Sequence, residues 1–259
     1  MKRFICLFCA VLLLSLAACG KKKAAANPTT PEGEQVILPT VSPDTPADAV
    51  ILSGFDKMLS SSSFVITVDT TTASGDATAL NTEVFQTVGK FQDTEKGFIA
   101  LFSSSEGDET YLYGGEIYTY PPLNQESLEE EHTKESAMLK FFSKHGFHEV
   151  TLEEFLLKNP KRSDNSDGSI TYSLDNLSVA DYAWLVLGKE MSDEEADKYV
   201  NKGCSLSFTV DAAGYLSRAE VIFNWETSDG DQVNQLKKVF TTTQFGEDLQ
   251  IQTPEWVTG

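Results

Sequence analysis

Apolar and polar positions change rhythm several times along this chain, and each change marks an expected element. Phe4 to Leu16 is an apolar run broken only by Ser15. Residues 20–45 carry almost no apolar pattern: Pro28, Pro31, Pro39 and Pro43 stand among Ala, Thr and Ser, with one short patch at Val36-Ile37-Leu38. Ile51, Phe55, Met58 and Leu59 then fall at i, i+4, i+7 and i+8, one stripe of a helix opened by Thr45-Pro46 and ended by the serines at 60–63. From there the period drops to two. Phe64, Ile66 and Val68 share one face of a strand, 82–91 and 97–103 read as two more, and Tyr111 to Tyr118 reads as strand, glycine turn, strand, stopped by Pro121-Pro122.

The middle of the chain returns to helical spacing. Glutamates at 126 and 129–131 precede a stripe of Met138, Phe141 and Phe142. Thr151 and Glu154 have capping-box spacing, with Val150 and Phe155 placed as a staple, and Ser192 with Glu195 repeats that spacing. Helices are expected over 178–187 and 192–200, with a strand from Ser169 to Leu174 between the helical stretches. The end is extended again. Residues 204–211 alternate cleanly, Ala212-Ala213-Gly214 turns the chain, and Ala219, Val221, Phe223 and Trp225 share the next strand's apolar face. Asp229-Gly230 marks another turn before a last strand at 234–245. Strands never alternate with crossover helices, so the sheet should be antiparallel and the class α+β.

The first twenty residues carry specific chemistry. Lys2 and Arg3, the short apolar run and small residues before a cut make a signal peptide over 1–18. The run is too short to span, since a transmembrane helix needs about 20 apolar residues. Leu16-Ala17-Ala18-Cys19 resembles the lipobox of bacterial lipoproteins. That resemblance implies diacylglycerol on the Cys19 thiol and cleavage after Ala18. Two acyl chains suffice for stable anchoring, because each buried CH₂ contributes roughly 0.8 kcal/mol. The expected location is the extracytoplasmic face of the cell membrane. In a Gram-negative host, Gly20 in place of aspartate would by analogy direct the chain to the outer membrane. Residues 19–45 then form a tether of about 25–30 Å as a flexible coil, and 46–259 form the domain.

Charge and cysteine usage narrow the function. The net charge is −19, and loss of Lys2 and Arg3 takes it to −21. Nucleic-acid binding needs a basic footprint and is not expected. Cys6 and Cys9 leave with the signal peptide, which leaves Cys204 as the single cysteine in the mature domain and no internal disulfide. The core must carry the stability alone.

The order of lipobox, tether, helix, antiparallel meander, helical insert and closing meander is similar to the LolA-like group of exported proteins, including mycobacterial and Firmicutes lipoproteins of that shape. The residues that carry the resemblance are Tyr111-Leu112-Tyr113-Gly114-Gly115-Glu116-Ile117-Tyr118, Phe208-Thr209-Val210-Asp211 with Gly214-Tyr215-Leu216, and the terminal Thr253-Pro254-Glu255-Trp256-Val257. The resemblance implies a curved antiparallel sheet, a half-barrel with helices packed on its concave face. It also implies a lipid or other apolar ligand in the concavity. The acidic helical insert departs from the group's pattern.

The ligand-facing candidates are Phe64, Ile66, Phe98, Phe102, Leu206, Phe208, Val221, Phe223 and Trp225. The alternative is that the same residues fill a core against the helices, because pockets and cores are both apolar. The second reading then follows: a tethered structural or interaction lipoprotein with no ligand. Cys204 alternates with Leu206 and Phe208, which reads as an inert buried thiol. His145 and His148 lack further ligands at zinc spacing. Residues 163–174 fail the calcium-loop pattern, since Leu174 stands where glutamate is required. The acidic run 126–135 reads as a solvated helix face, with a basic partner as the sharper alternative. No cofactor, metal or catalytic residue is expected, and no enzyme motif is present. If Cys19 is the anchor, Cys19→Ser should abolish incorporation of labelled palmitate and move the chain out of the membrane fraction.

Overall fold

A single antiparallel sheet of ten strands organises the chain, in the order β5-β4-β3-β2-β1-β10-β9-β8-β7-β6. The computed structural model describes residues 41–76, 79–95, 97–113, 116–121, 133–145, 155–187 and 190–258. These all lie in one compact unit, Leu38–Gly259. Expectations for the signal peptide, Cys19, residues 19–40, Gly114-Gly115, the glutamates at 126–131, His132, His148 and the Thr151/Glu154 box fall outside the described residues.

The strands are β1 (Ser63–Asp76), β2 (Ala79–Thr94), β3 (Gly97–Ser104), β4 (Glu109–Tyr113), β5 (Glu116–Tyr120), β6 (Lys161–Asp164), β7 (Ile170–Asp175), β8 (Tyr199–Val210), β9 (Leu216–Thr227) and β10 (Val233–Thr243). Two five-strand meanders, β1–β5 and β6–β10, meet where β1 pairs antiparallel with β10 from Val65↔Thr243 to Gly75↔Val233. The sheet stays open, with β5 and β6 as its edges. The chain between those edges, residues 121–160, therefore has to pass from one side of the sheet to the other.

Register sorts the side chains. Val68 lies opposite Phe240, Phe240 opposite Ala219, Ala219 opposite Phe208 and Phe208 opposite Tyr172. Phe64 lies opposite Phe91, Phe91 opposite Ala100 and Ala100 opposite Leu112. These rows define one apolar inner face, and all of them are buried. Ten twisted strands with one such face curl around it, which gives the expected half-barrel.

Helices cover the inner face. Helix α1 (Ala47–Leu59) starts after Pro46 and ends at Ser60, as its stripe requires, and buries Val50, Ile51, Gly54 and Met58. It packs on β8 and β9. A Cβ at Gly54 would stand 3.0–3.1 Å from Val210 and the Leu216 backbone, so the small residue sets the approach. Helix α2 (Lys134–Lys144) is capped by Thr133, with Ser136 completing a capping box. Its Phe141 meets Phe91 edge-on at 6.2 Å and stacks on Phe102 at 5.2 Å. Phe142 stacks on Phe240 at 5.6 Å. Further on, Phe155 meets Phe208 edge-on at 4.8 Å. The passage from β5 to β6 is thus stitched to the inner face by successive aromatic contacts, each contributing about 0.5–1.5 kcal/mol beyond burial.

Helix α3 (Val179–Leu187) follows β7 and packs on β8, and α4 (Asp193–Ala196) begins at Ser192 with the capping box its spacing predicts. The helix expected over 192–200 stops at Ala196, because Tyr199 and Val200 pair with Thr227 and Glu226 as the start of β8. Tyr199 packs edge-on against Trp225 at 4.3 Å, a contact available only in the strand. The two meanders also have longer strands than alternation indicates. Residues 70–76 are mostly polar yet extended, held by β2 on one side and β10 on the other.

The segment after β10 straps the outer face of the first meander. Gly246 N donates to Ser63 O at 2.9 Å, and Gln92 Nε2 to Asp248 Oδ1 at 3.0 Å. Tyr111 and Thr253 share a hydroxyl bond at 3.1 Å. Helix α5 (Glu255–Thr258) places Trp256 against Tyr120 at 5.9 Å, with its Nε1 donating to Glu109. This explains why Tyr111, an outer-face residue, is only 2% exposed.

Phe91 joins β1, β3 and α2 in one aromatic cluster, whereas Val84 is 71% exposed. In urea unfolding, Phe91→Ala should lower stability by about 3–5 kcal/mol, and Val84→Ala should change it by less than about 0.5 kcal/mol.

Candidate ligand-binding face

All nine ligand-facing candidates lie on the inner face. Phe64, Ile66 and, across β2, Phe102 belong to the first meander. Leu206, Phe208, Val221, Phe223 and Trp225 line the second. Phe98 shares its strand face with Ala100 and Phe102. The fold brings the candidates onto one surface but divides them by depth. Phe64, Ile66, Leu206, Phe208, Val221 and Phe223 are buried, packed by α1, α2 and their own neighbours. Phe98, Phe102 and Trp225 are only partly buried.

The division follows position along the strands. Under α2 the face is dry: Gly89 lies there, and a Cβ on it would meet the rings of Phe91, Phe102 and Phe141 at 3.1 Å. Past Val68 and Phe240 the inner face becomes half-buried and mixed. Thr70 lies opposite Lys238 and Phe85, and Lys238 opposite Val221. Thr72 lies opposite Leu236, and Leu236 opposite Phe223. Leu236, Tyr199 and Trp225 pack there against the core without being enclosed by it.

Lys238 is the residue that sequence reading passed over. Its carrier was visible: Leu236, Lys238, Phe240 and Thr242 alternate on one face of β10, which puts a lysine among inward residues. Nζ donates to the carbonyl of His145, at the C-terminus of α2, at 2.8 Å. Lys238 takes part in none of the ion pairs found among the described residues. Burial lowers its pKa below that of an ordinary lysine. The His145 ring lies 4.8 Å from Phe141 and 6.4 Å from Phe240, and its Nε2 is buried with no hydrogen-bond partner. Burial first, then the charges of Lys238 and Lys144, push its pKa down to about 4.

The other candidates sit in structural surroundings. Cys204 is buried, its thiol pushed up by burial, with Sγ 3.5 Å from the Asn224 carbonyl. Asn165 and Asp167 serve the β6–β7 turn, where Asp167 accepts from the Ser169 hydroxyl at 2.7 Å. Among the described residues no cluster of His, Cys, Asp and Glu could hold a metal. None of the described helices is long and apolar enough to cross a membrane. A shallow depression lined by Thr94, Glu95, Ile99 and Tyr113 opens on the outer face, away from this strip.

No protein-family model and no curated protein matches the chain. Solved structures overlap it distantly. A LolA superfamily protein of Nitrosomonas europaea is 10% identical with a TM-score of 0.25, over 82% of this chain and 97% of its own. A DUF1329 family protein of Desulfovibrio piger is 9% identical with a TM-score of 0.22, over 78% and 95%. A domain described as outer-membrane lipoprotein-sorting, from Vibrio parahaemolyticus, is 9% identical with a TM-score of 0.18, over 74% and 87%. Overlaps this weak carry neither family nor function; the half-barrel rests on sheet order, register and the buried inner face.

The His145 ring gives a pH signature. It protonates near pH 4 when folded and near 6.5 when unfolded, so between those values the unfolded chain binds more protons. Stability should therefore fall as pH drops from 6.5 towards 4. His145→Phe should flatten that part of the curve relative to the unsubstituted chain in thermal melts.

Proposed function

We propose that this chain is a lipoprotein anchored through Cys19 at the extracytoplasmic face of a membrane, holding a lipid or other apolar ligand on the inner face of its half-barrel. The carrying observation is the half-buried strip formed by Leu236, Tyr199 and Trp225, beside the buried Phe223. Large apolar side chains on an inward surface lose free energy when left wet, by roughly 25 cal/mol per Å². An acyl chain laid along them would remove that surface from water. The lipobox-like Leu16-Ala17-Ala18-Cys19 supports the anchor, and the tether would give the inner face reach above the bilayer.

The second reading is a tethered interaction protein whose inner face is simply a core. The burial of six of the nine candidates favours it, because those side chains already have protein partners. Native mass spectrometry of the gently extracted protein separates the two readings. Ligand binding predicts a non-covalent adduct of lipid mass, or uptake of a hexadecanol probe by the stripped protein. Leu236→Glu should weaken that uptake at least tenfold while the folded spectrum persists. A chain that carries no adduct and takes up no probe is the interaction protein.

A further inference from the structure

We propose that the strip takes an anionic amphiphile, with its charged head at Lys238 and His145 and its hydrocarbon over Leu236 and Trp225. The inference rests on the ligand-binding reading above and specifies the chemistry of the ligand. Its ground is an unbalanced cation. In a chain of net charge −19, the inward ammonium of Lys238 has one hydrogen-bond partner, a backbone carbonyl, and no carboxylate among the described residues. Across the sheet it faces Thr70 and Val221, and from the helix side it faces His145. A part-buried charge without a counter-ion is unfavourable, and an incoming carboxylate or phosphate would relieve it. His145 Nε2 adds a second buried nitrogen beside the same spot that the protein leaves unpaired.

Placement also fits a head and a tail. Lys238 stands at the boundary between the dry aromatic end and the half-buried strip. One residue pair along β10, Leu236 lies opposite Phe223, and Asn234 lies opposite Trp225. A hydrocarbon chain leaving the Lys238 ammonium along the strands would cross those apolar residues. The lowered proton affinity of Lys238 agrees with a group waiting for an anion. The competing role is structural: a lysine capping the last carbonyls of α2.

The test compares three probes with one C16 chain and different heads: hexadecanoate, hexadecyl phosphate and hexadecanol. Affinities are measured by displacement of a fluorescent lipid from the mature chain carrying Cys19→Ser. The expected result is at least tenfold tighter binding of one or both anionic probes than of hexadecanol. The two anionic arms tell a carboxylate-headed ligand from a phosphate-headed one. Lys238→Gln should bring the ratio to about one by weakening the anionic probes more than hexadecanol, and Lys238→Arg should restore it. Bound hexadecanoate should also shield Lys238 from reductive methylation in the unsubstituted chain, a readout that needs no variant. Equal affinity for all three heads overturns the inference and leaves the ligand-binding reading intact. A Lys238→Gln chain that melts earlier but keeps its head-group ratio assigns Lys238 to helix capping and also overturns it. Binding of none of the probes removes the ligand-binding reading itself.

Discussion

The whole architecture depends on the ladder between β1 and β10. Each meander has its own local hairpins and carries half of the inner face. Joined edge to edge, they make one face wide enough to curl. The join brings together residues about 170 positions apart, such as Val68 and Phe240. Such distant pairing carries a large loop-closure cost, and the aromatic contacts that follow it offset that cost. Phe142 of α2 rests on Phe240 of β10, and Phe141 rests on Phe91 of β2, so one helix clamps both sides of the join. Helix α2, which lies between the two edge strands in sequence, is thus packed on both meanders at once.

Much of this was legible in the sequence where a local signal existed. Alternation at 64–68, 204–211 and 219–225 identified inward faces correctly. The Met138, Phe141 and Phe142 stripe identified the helix that covers them. Signals failed where a partner far along the chain supplied the stability. Thr70 to Asp76 has no apolar alternation and is extended because ladders flank it. β6 is four polar residues at an edge, invisible without β7. The strap was legible only as the pattern Thr253-Pro254-Glu255-Trp256, because its partners Tyr111, Glu109 and Tyr120 lie more than a hundred residues earlier.

The inner face shows the same limit more sharply. Sequence placed nine apolar residues on one surface, and register agrees. It gave no means of ranking them by depth, because a filled core and a pocket wall use the same residue types. Depth came from which side chains the helices reach. Phe208 is covered by Phe155 and Phe91 by Phe141, whereas Leu236 and Trp225 lie beyond the aromatic clamp. The inward lysine lay unmarked within the last strand at 234–245, although alternate positions of one strand face opposite ways, which turns Lys238 inward with Leu236 and Phe240.

The positions of the two ends of the described domain follow from the strap and from one arginine. Arg162 of β6 donates to the carbonyls of Val41 and Ser42 at 3.0 and 2.8 Å, which moors the start of the domain at one edge of the sheet. Trp256 moors the other end on β4 and β5, at the opposite edge. Nine inter-strand steps separate those edges, about 40 Å measured along the sheet. Ser42 and Trp256 therefore sit like the tips of a pair of callipers. Spectroscopic labels at Ser42 and Thr258 would read the span of the half-barrel directly, and any change of curvature would appear as a change in their separation.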